Sequence, residues 1–199
     1  MRQQPAVHIN LSSSPFWHAK RGIRREMLAA IARRDGVPVL MSNQVGGNDS
    51  LIFDGSSFAL NARVEVIAQA ASFAEDLVLA DTLNAHDELP VPPAIQEDDT
   101  AAAYQALVLG TRDYVRKCGF RKVLVGLSGG IDSALVAAIA KDALGAENVL
   151  AIGMPSPYSS QGSIDDSRQL AANLGILYEV IGIEKLFEQY TQALEPQFA

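Results

Sequence analysis

The chain has 199 residues, of which 48% are hydrophobic and 20% charged, which is typical of a soluble globular protein of one or two domains. Its formal net charge of −7 argues against a nucleic-acid binder, and no apolar stretch approaches the ~18 residues that span a membrane. The single cysteine excludes an intrachain disulfide framework, and no signal peptide is recognisable, so we expect a cytoplasmic protein.

Residues 1–80 predict a strand, a basic helix, a second strand, a hairpin and a final strand. Asp54-Gly55 should close the hairpin, because Asp-Gly between apolar runs is a strong tight-turn signal. We interpret Gly46-Gly47 as a backbone device for tight turns and hairpin register, and the helix arginines as a solvated face. The strands are expected at 6–11, 37–43, 51–53, 58–61 and 64–70, and the arginines are Arg21, Arg24, Arg25, Arg33 and Arg34.

The composition changes near residue 81, where an acidic, proline-rich stretch begins that has no apolar period. We interpret this stretch as a linker. The predicted domains are therefore 1–80 and 100–199, joined by a linker at 81–99.

The second domain alternates strands with helices, which predicts a parallel sheet with ligands at the carboxyl ends of its strands. Helical spacing begins near residue 104, with Asp98 or Asp99 as the capping residue. Cys118 falls on the apolar stripe of that helix, so we expect a small core residue there and not a nucleophile. Strands are expected at 122–127, 148–153 and 177–182, and helices at 131–145, 162–175 and from 184.

The first strand of this second domain leads directly into Ser-Gly-Gly-Ile-Asp-Ser and a helix. Glycines let backbone N–H groups approach an anion, the helix N-terminus adds partial positive charge, and two serine hydroxyls lie in the same turn. Asp132 could hold a magnesium ion that bridges phosphates. The predicted ATP-binding residues are Gly126, Leu127, Ser128, Gly129, Gly130, Ile131, Asp132 and Ser133, with Met154 in the loop after the second strand.

This loop resembles the pyrophosphate loop of the ATP pyrophosphatases, and it lacks the lysine of a Walker A motif. The segment Asn-Leu-Ser-Ser-Ser-Pro-Phe at 10–16, then Lys20, and the stretch at 43–57 resemble the carboxyl-terminal half of a nitrilase-type glutaminase domain. Both halves together, with Met-Pro-Ser-Pro-Tyr-Ser-Ser at 154–160, resemble the glutamine-dependent NAD⁺ synthetase family.

The resemblance implies an α/β fold: a partial nitrilase-like α/β sandwich, then a partial Rossmann-like parallel sheet of the ATP-pyrophosphatase (adenine nucleotide α-hydrolase-like) type. It implies ATP and Mg²⁺ as cofactors and the amidation of nicotinic acid adenine dinucleotide, with glutamine or ammonia as the nitrogen source. Ser14 and Lys20 match the family's glutamine-binding positions. No nucleic-acid or membrane partner is implied, and the full-length enzyme is expected to be a homo-oligomer.

The family's glutaminase cysteine, glutamate and lysine would precede residue 10, so no catalytic residue is assigned here, and we expect the isolated chain to be an inactive fragment. Two alternatives remain open. One is another ATP pyrophosphatase, such as a GMP synthetase or a tRNA-modifying enzyme, which the nitrilase-like first half disfavours. The other is a nucleotide-binding or interaction fragment without turnover.

Overall fold

A computed structural model of the chain describes residues 5–83 and 98–198. These residues form two compact units, Met1–Tyr114 and Val115–Ala199, which we call unit 1 and unit 2. Within the described residues, no helix is long and apolar enough to cross a membrane.

Unit 1 contains β1 (His8–Ser12), α1 (Lys20–Asp35), β2 (Val39–Asn43), β3 (Val45–Asn48), β4 (Leu51–Asp54), β5 (Phe58–Leu60) and β6 (Val66–Gln69). Four of the strands form a sheet in the order β1-β2-β5-β6, with β1 parallel to β2 and the other neighbours antiparallel. Helix α1 packs on this sheet through a core that includes Leu28, Ala32, Val39 and Leu60.

The predicted hairpin around Asp54-Gly55 is wrong. β4 pairs with β3, and the tight turn lies at Asp49, whose φ is 51°. Asp54 is fully buried, so its carboxylate serves the interior of unit 1 and not a surface turn. Gly46-Gly47 accordingly lie inside strand β3 and not in a tight turn.

Helix α2 (Asp99–Lys117) begins as expected at a capping aspartate, because the Asp98 carboxylate accepts the N–H of Thr100 at 2.9 Å. Gly47 and Gly110 let β3 and α2 approach closely, since a Cβ on Gly47 would lie 3.1 Å from the Gly110 Cα. Asp113 fixes the contact by accepting the Gly47 N–H at 2.8 Å.

The part of α2 that belongs to unit 1 contributes to a second hydrophobic core of that unit. Ala102, Ala106 and Leu109 are buried there beside Phe73. The division between the two units falls inside this helix, after Tyr114.

The prediction that Cys118 is a packed core residue is wrong, because its side chain is exposed. The helix ends at Lys117, and Gly119 turns the chain with a φ of 81° while its N–H donates to the Arg116 carbonyl. Cys118 therefore lies beyond the helical face to which its spacing assigned it.

Unit 2 contains β7 (Val123–Gly126), α3 (Ile131–Leu144), β8 (Val149–Gly153), α4 (Gln161–Leu174), β9 (Leu177–Val180) and α5 (Glu184–Phe198). Each of these elements begins within one residue of its predicted start. The three strands are parallel, as predicted, and their order in the sheet is β7-β8-β9. Helices α3 and α4 pack on the sheet around Val125, Ala137, Ala151 and Ala171.

Candidate functional site

The loop between β7 and α3 is held in shape by its own serines. The Ser128 and Ser133 hydroxyl oxygens lie 3.1 Å apart, and Ser133 Oγ donates to the Gly130 carbonyl at 2.9 Å. The Ser128 N–H donates to Ser133 Oγ at 3.2 Å, and the Gly130 N–H donates to Ser128 Oγ at 3.3 Å. These short-range bonds fix a compact turn at the N-terminus of α3, where the first-turn N–H groups have no partner inside the helix.

Gly129 makes the turn possible for two reasons. Its φ of +81° lies in the left-handed region, and a Cβ at this position would lie 2.5 Å from the backbone oxygen of Ser163. The loop thus rests on the backbone of the first turn of α4. Ser160 caps that helix by accepting the Ser163 N–H at 3.1 Å. Because the loop at the start of α3 contacts Ser163, the N-termini of α3 and α4 lie next to each other.

A cleft of about 280 Å³ opens beside this loop at the carboxyl ends of β7 and β8, and Tyr178 of β9 contributes to its lining. Four of the predicted ATP-binding residues line it: Gly126, Leu127, Ser128 and Met154. Pro155 and Ser159, from the 154–160 segment that carries part of the family resemblance, also line it. The remaining lining residues do not belong to any motif quoted from the sequence, and they are Gly153, Ser163, Ile164, Ser167 and Tyr178.

Tyr178 is the lining residue that the sequence least suggested. It lies on β9, and its hydroxyl occupies the space where a Cβ on Gly153 would stand. A glycine at the carboxyl end of a parallel strand was the available signal, because it marks close approach of another group.

Asp132 lies in the first turn of α3 with its side chain exposed, next to Gly129 and Gly130 in the loop. Among the described residues, no group of three or more His, Cys, Asp or Glu side chains could hold a metal ion. A single carboxylate fits a magnesium ion that takes its remaining ligands from phosphate oxygens and water, and it does not fit a site made of protein groups alone.

In unit 1, Ser14 lies in the connection between β1 and α1, and Lys20 is the first residue of α1. Ser14 is half-buried, and its backbone N–H donates to the Asn43 side-chain oxygen at 2.8 Å. Lys20 Nζ donates to the carbonyl of Pro15 at 2.9 Å and lies 5.1 Å from the centre of the Trp17 ring. The ammonium group of Lys20 therefore reaches the residue that follows Ser14.

The interpretation of the α1 arginines as a solvated face is wrong for two of them. Arg24 Nη2 lies 2.6 Å and 2.8 Å from the two carboxylate oxygens of Asp54, and Arg21 Nε donates to the same group at 2.9 Å. The exposed fractions are 0% for the Asp54 side chain, 7% for Arg24 and 10% for Arg21. Helical periodicity could not show this, because the anion lies some thirty residues away.

Two family models match the chain: carbon-nitrogen hydrolase over residues 1–84 and NAD synthase over residues 103–198. The glutamine-dependent NAD(+) synthetase of Synechocystis sp. is 50% identical over 192 residues, which are 96% of this chain and 34% of that protein. The corresponding enzyme of Rhodobacter capsulatus is 44% identical over 180 residues, which are 87% of this chain and 32% of that protein.

Among solved structures, glutamine-dependent NAD+ synthetase from Acinetobacter baumannii, in complex with ADP, gives a TM-score of 0.86 at 39% identity. The match covers 97% of this chain and 37% of that one. The enzyme from Cytophaga hutchinsonii shares the fold, with a TM-score of 0.84 at 18% identity over 97% of this chain and 38% of that one. The chain spans about a third of the length of its relatives, 34% for the Synechocystis protein. These matches confirm the resemblance to the glutamine-dependent NAD⁺ synthetase family that the sequence motifs indicated.

Proposed function

We propose a function on the premise that residues 1–84 belong to the carbon-nitrogen hydrolase family and residues 103–198 to the NAD synthase family, as in glutamine-dependent NAD(+) synthetases. The proposed reaction is the ATP-dependent amidation of nicotinic acid adenine dinucleotide to NAD⁺. Unit 2 supplies the pyrophosphate loop, and unit 1 supplies part of a domain that takes ammonia from glutamine. The chain is a portion of such an enzyme.

The observation that carries the nucleotide part is the packing of Gly129 on the backbone of Ser163. This contact brings the N-termini of α3 and α4 to one edge of the cleft, where both helix dipoles favour an anion. The hydroxyls of Ser128 and Ser133 stand in the same turn. The arrangement suits the β- and γ-phosphates of ATP, which leave together as pyrophosphate.

In the proposed reaction, the substrate carboxylate attacks the α-phosphate and pyrophosphate departs. Ammonia then attacks the adenylated carboxyl carbon, and AMP leaves. The backbone N–H groups at the start of α3 and the serine hydroxyls would stabilise the negative charge that gathers on the departing pyrophosphate. Asp132 would hold a magnesium ion that neutralises part of this charge when it is bound.

The nucleotide proposal is tested by titrating the chain with ATP in the presence of magnesium. We expect saturable binding that Asp132→Ala weakens about tenfold, because the carboxylate anchors the metal. Asp166→Ala is the matched control, since Asp166 is an exposed carboxylate on the neighbouring helix α4. Inorganic pyrophosphate without magnesium should bind wild type and Asp132→Ala alike. Equal ATP affinity in wild type and Asp132→Ala would remove the metal role from Asp132.

The glutamine part of the proposal concerns Ser14 and Lys20. A hydroxyl and an ammonium group beside one loop can meet the polar α-groups of an amino acid. Glutamine titration of the ¹⁵N-labelled chain should shift the amide signals of residues 13, 14 and 16–20, and Ser14→Ala or Lys20→Ala should weaken this binding. Signals that do not move at saturating glutamine would contradict this part alone.

A further inference from the structure

Asn43, the last residue of β2, binds both backbone groups of Ser14. Its side-chain oxygen accepts the Ser14 N–H at 2.8 Å, and its side-chain nitrogen donates to the Ser14 carbonyl at 3.3 Å. The same nitrogen donates to the Gly55 carbonyl at 3.1 Å. Asn43 is 8% exposed, so these bonds are shielded from water. One buried amide side chain therefore fixes the backbone from which the Ser14 hydroxyl projects.

Asp54 fixes the other end of the segment that runs from Ser14 to Lys20. Its carboxylate accepts hydrogen bonds from Arg21 and Arg24, and Arg21 directly follows Lys20 in the first turn of α1. Asn43 Nδ2 lies 3.4 Å from Asp54 Oδ1, so the hydrogen bonds of Asn43 and those of Asp54 form one network. Ser56 Oγ adds a further hydrogen bond to Asp54 at 3.0 Å.

Aromatic packing closes the same network. The Arg21 guanidinium lies 4.9 Å from the centre of the Phe73 ring and 5.6 Å from that of Phe16, which is itself in the Ser14–Lys20 segment. The two rings meet edge to face at 5.3 Å. Such contacts stabilise a cation that has left water. The segment is thus held at Ser14, at Phe16 and next to Lys20.

We propose that Asn43 is a positioning residue for glutamine recognition, acting through Ser14 and linked by Asp54 to the helix turn that carries Lys20. This inference rests on the glutamine site proposed above. An amino acid is recognised by groups at a fixed separation, and neither Ser14 nor Lys20 is rigid by its own chemistry. The buried network supplies the fixed separation without touching the substrate.

The first test measures amide hydrogen exchange by NMR in Asn43→Ala without glutamine. The Ser14 amide should exchange about tenfold faster, as expected for the loss of one hydrogen bond. The Phe16 amide is an internal control, because it donates to the backbone carbonyl of Ile52 at 2.6 Å and should stay protected. Asn61→Ala is the matched variant: Asn61 is also a buried asparagine of unit 1 and accepts the backbone N–H of Glu65 at 2.9 Å.

The second test titrates glutamine into the same proteins. Accelerated Ser14 exchange together with at least tenfold weaker glutamine binding in Asn43→Ala, and neither effect in Asn61→Ala, supports the proposal. Unchanged Ser14 exchange or unchanged glutamine affinity in Asn43→Ala overturns it, while wild-type binding leaves the glutamine site standing. If Ser14 exchange accelerates but wild type binds no glutamine, the glutamine site itself fails, and the recognition role of Asn43 with it.

A measurement on the wild type covers the case in which Asn43→Ala does not fold. The wild-type Ser14 amide should exchange at least tenfold more slowly than an unprotected amide. Exchange of this amide at the unprotected rate would overturn the proposal without any variant.

Discussion

The two candidate sites of this chain are built in opposite ways. In unit 1, Ser14 and Lys20 are held by buried polar and charged side chains from other elements, chiefly Asn43 and Asp54. In unit 2, the loop after β7 is held by glycine backbone and by hydroxyls within five residues of each other. One site depends on the electrostatics of the interior, and the other depends on the absence of side-chain atoms.

This difference indicates which substitutions each site tolerates. A lost charge should damage unit 1, because two guanidinium groups would remain in the interior without an anion. An added methyl group should damage unit 2, because the backbone of α4 occupies the space beside Gly129. The following predictions test this comparison, from the largest effect to the smallest.

Asp54→Asn should give the largest effect. The substitution preserves shape but removes the one negative charge among the described residues that binds Arg21 and Arg24, so the free energy of unfolding should fall by about 3–5 kcal/mol. Urea unfolding followed by Trp17 fluorescence reports on unit 1, because Trp17 is the only tryptophan. Glu65→Gln is the control in the same unit: both side chains of its pair with Arg63 are 56% exposed, and its loss should cost about 1 kcal/mol or less. Equal losses in the two variants would contradict the contrast.

Gly129→Ala should destabilise unit 2 by about 2–3 kcal/mol, since it combines a left-handed φ with a steric clash. ATP affinity should fall more than tenfold. Gly162→Ala is the control, because a Cβ there would meet only Ser160 Oγ at 3.9 Å. It should leave stability unchanged or slightly improved, given that alanine favours helix. Circular dichroism and ATP titration of both variants make the comparison, and similar ATP affinities would show that the loop does not need its close packing.

A smaller effect is expected from acid. The Arg34 guanidinium, and then His8, hydrogen-bond the Asp35 carboxylate and hold its pKa well below its ordinary value of 3.8. A carboxyl group whose pKa is lower in the folded state stabilises that state above the unfolded pKa. This contribution is lost as the pH falls below about 4. The urea midpoint should therefore drop more steeply for wild type than for Asp35→Asn between about pH 5 and pH 2, which is the range in which carboxylates titrate. Parallel curves would contradict the assignment to Asp35.

Cys118→Ser should have the smallest effect. Cys118 is exposed beyond the end of α2, so a thiol reagent should modify it fully without denaturant, and the substitution should leave stability and ATP affinity unchanged. Glutamine hydrolysis by the chain should be absent in both forms, because a cysteine nucleophile needs an adjacent base. Glutamate release that Cys118→Ser abolished would contradict this reading and the family alignment together.

Local patterns predicted most of unit 2 and much less of unit 1. Parallel strands such as β8 follow from continuous apolar runs, and the loop with Gly129 and Gly130 carries its chemistry in adjacent residues. The role of Asp54 was not predictable from Asp-Gly, because its partners lie on α1, and tertiary contacts override local turn preference. Local patterns do not predict the pairing of β3 with β4, because Gly46-Gly47 is a poor strand sequence. A glycine is needed at position 47 because Gly110 of α2 approaches it closely, and that contact is not visible in the sequence.

The packing of α2 has a consequence for how this protein could exchange modules in evolution. The NAD synthase family match begins at residue 103, yet Ala106 and Leu109 complete the core of unit 1. A gene fusion that joined residues 103–198 to a different domain would keep the apolar residues of α2 that pack against Val45 and Ile52 of the β3–β4 hairpin, but without that hairpin. Recombination breakpoints that preserve both cores belong near Val115, where the contacts divide, and not at the boundary between the two family matches.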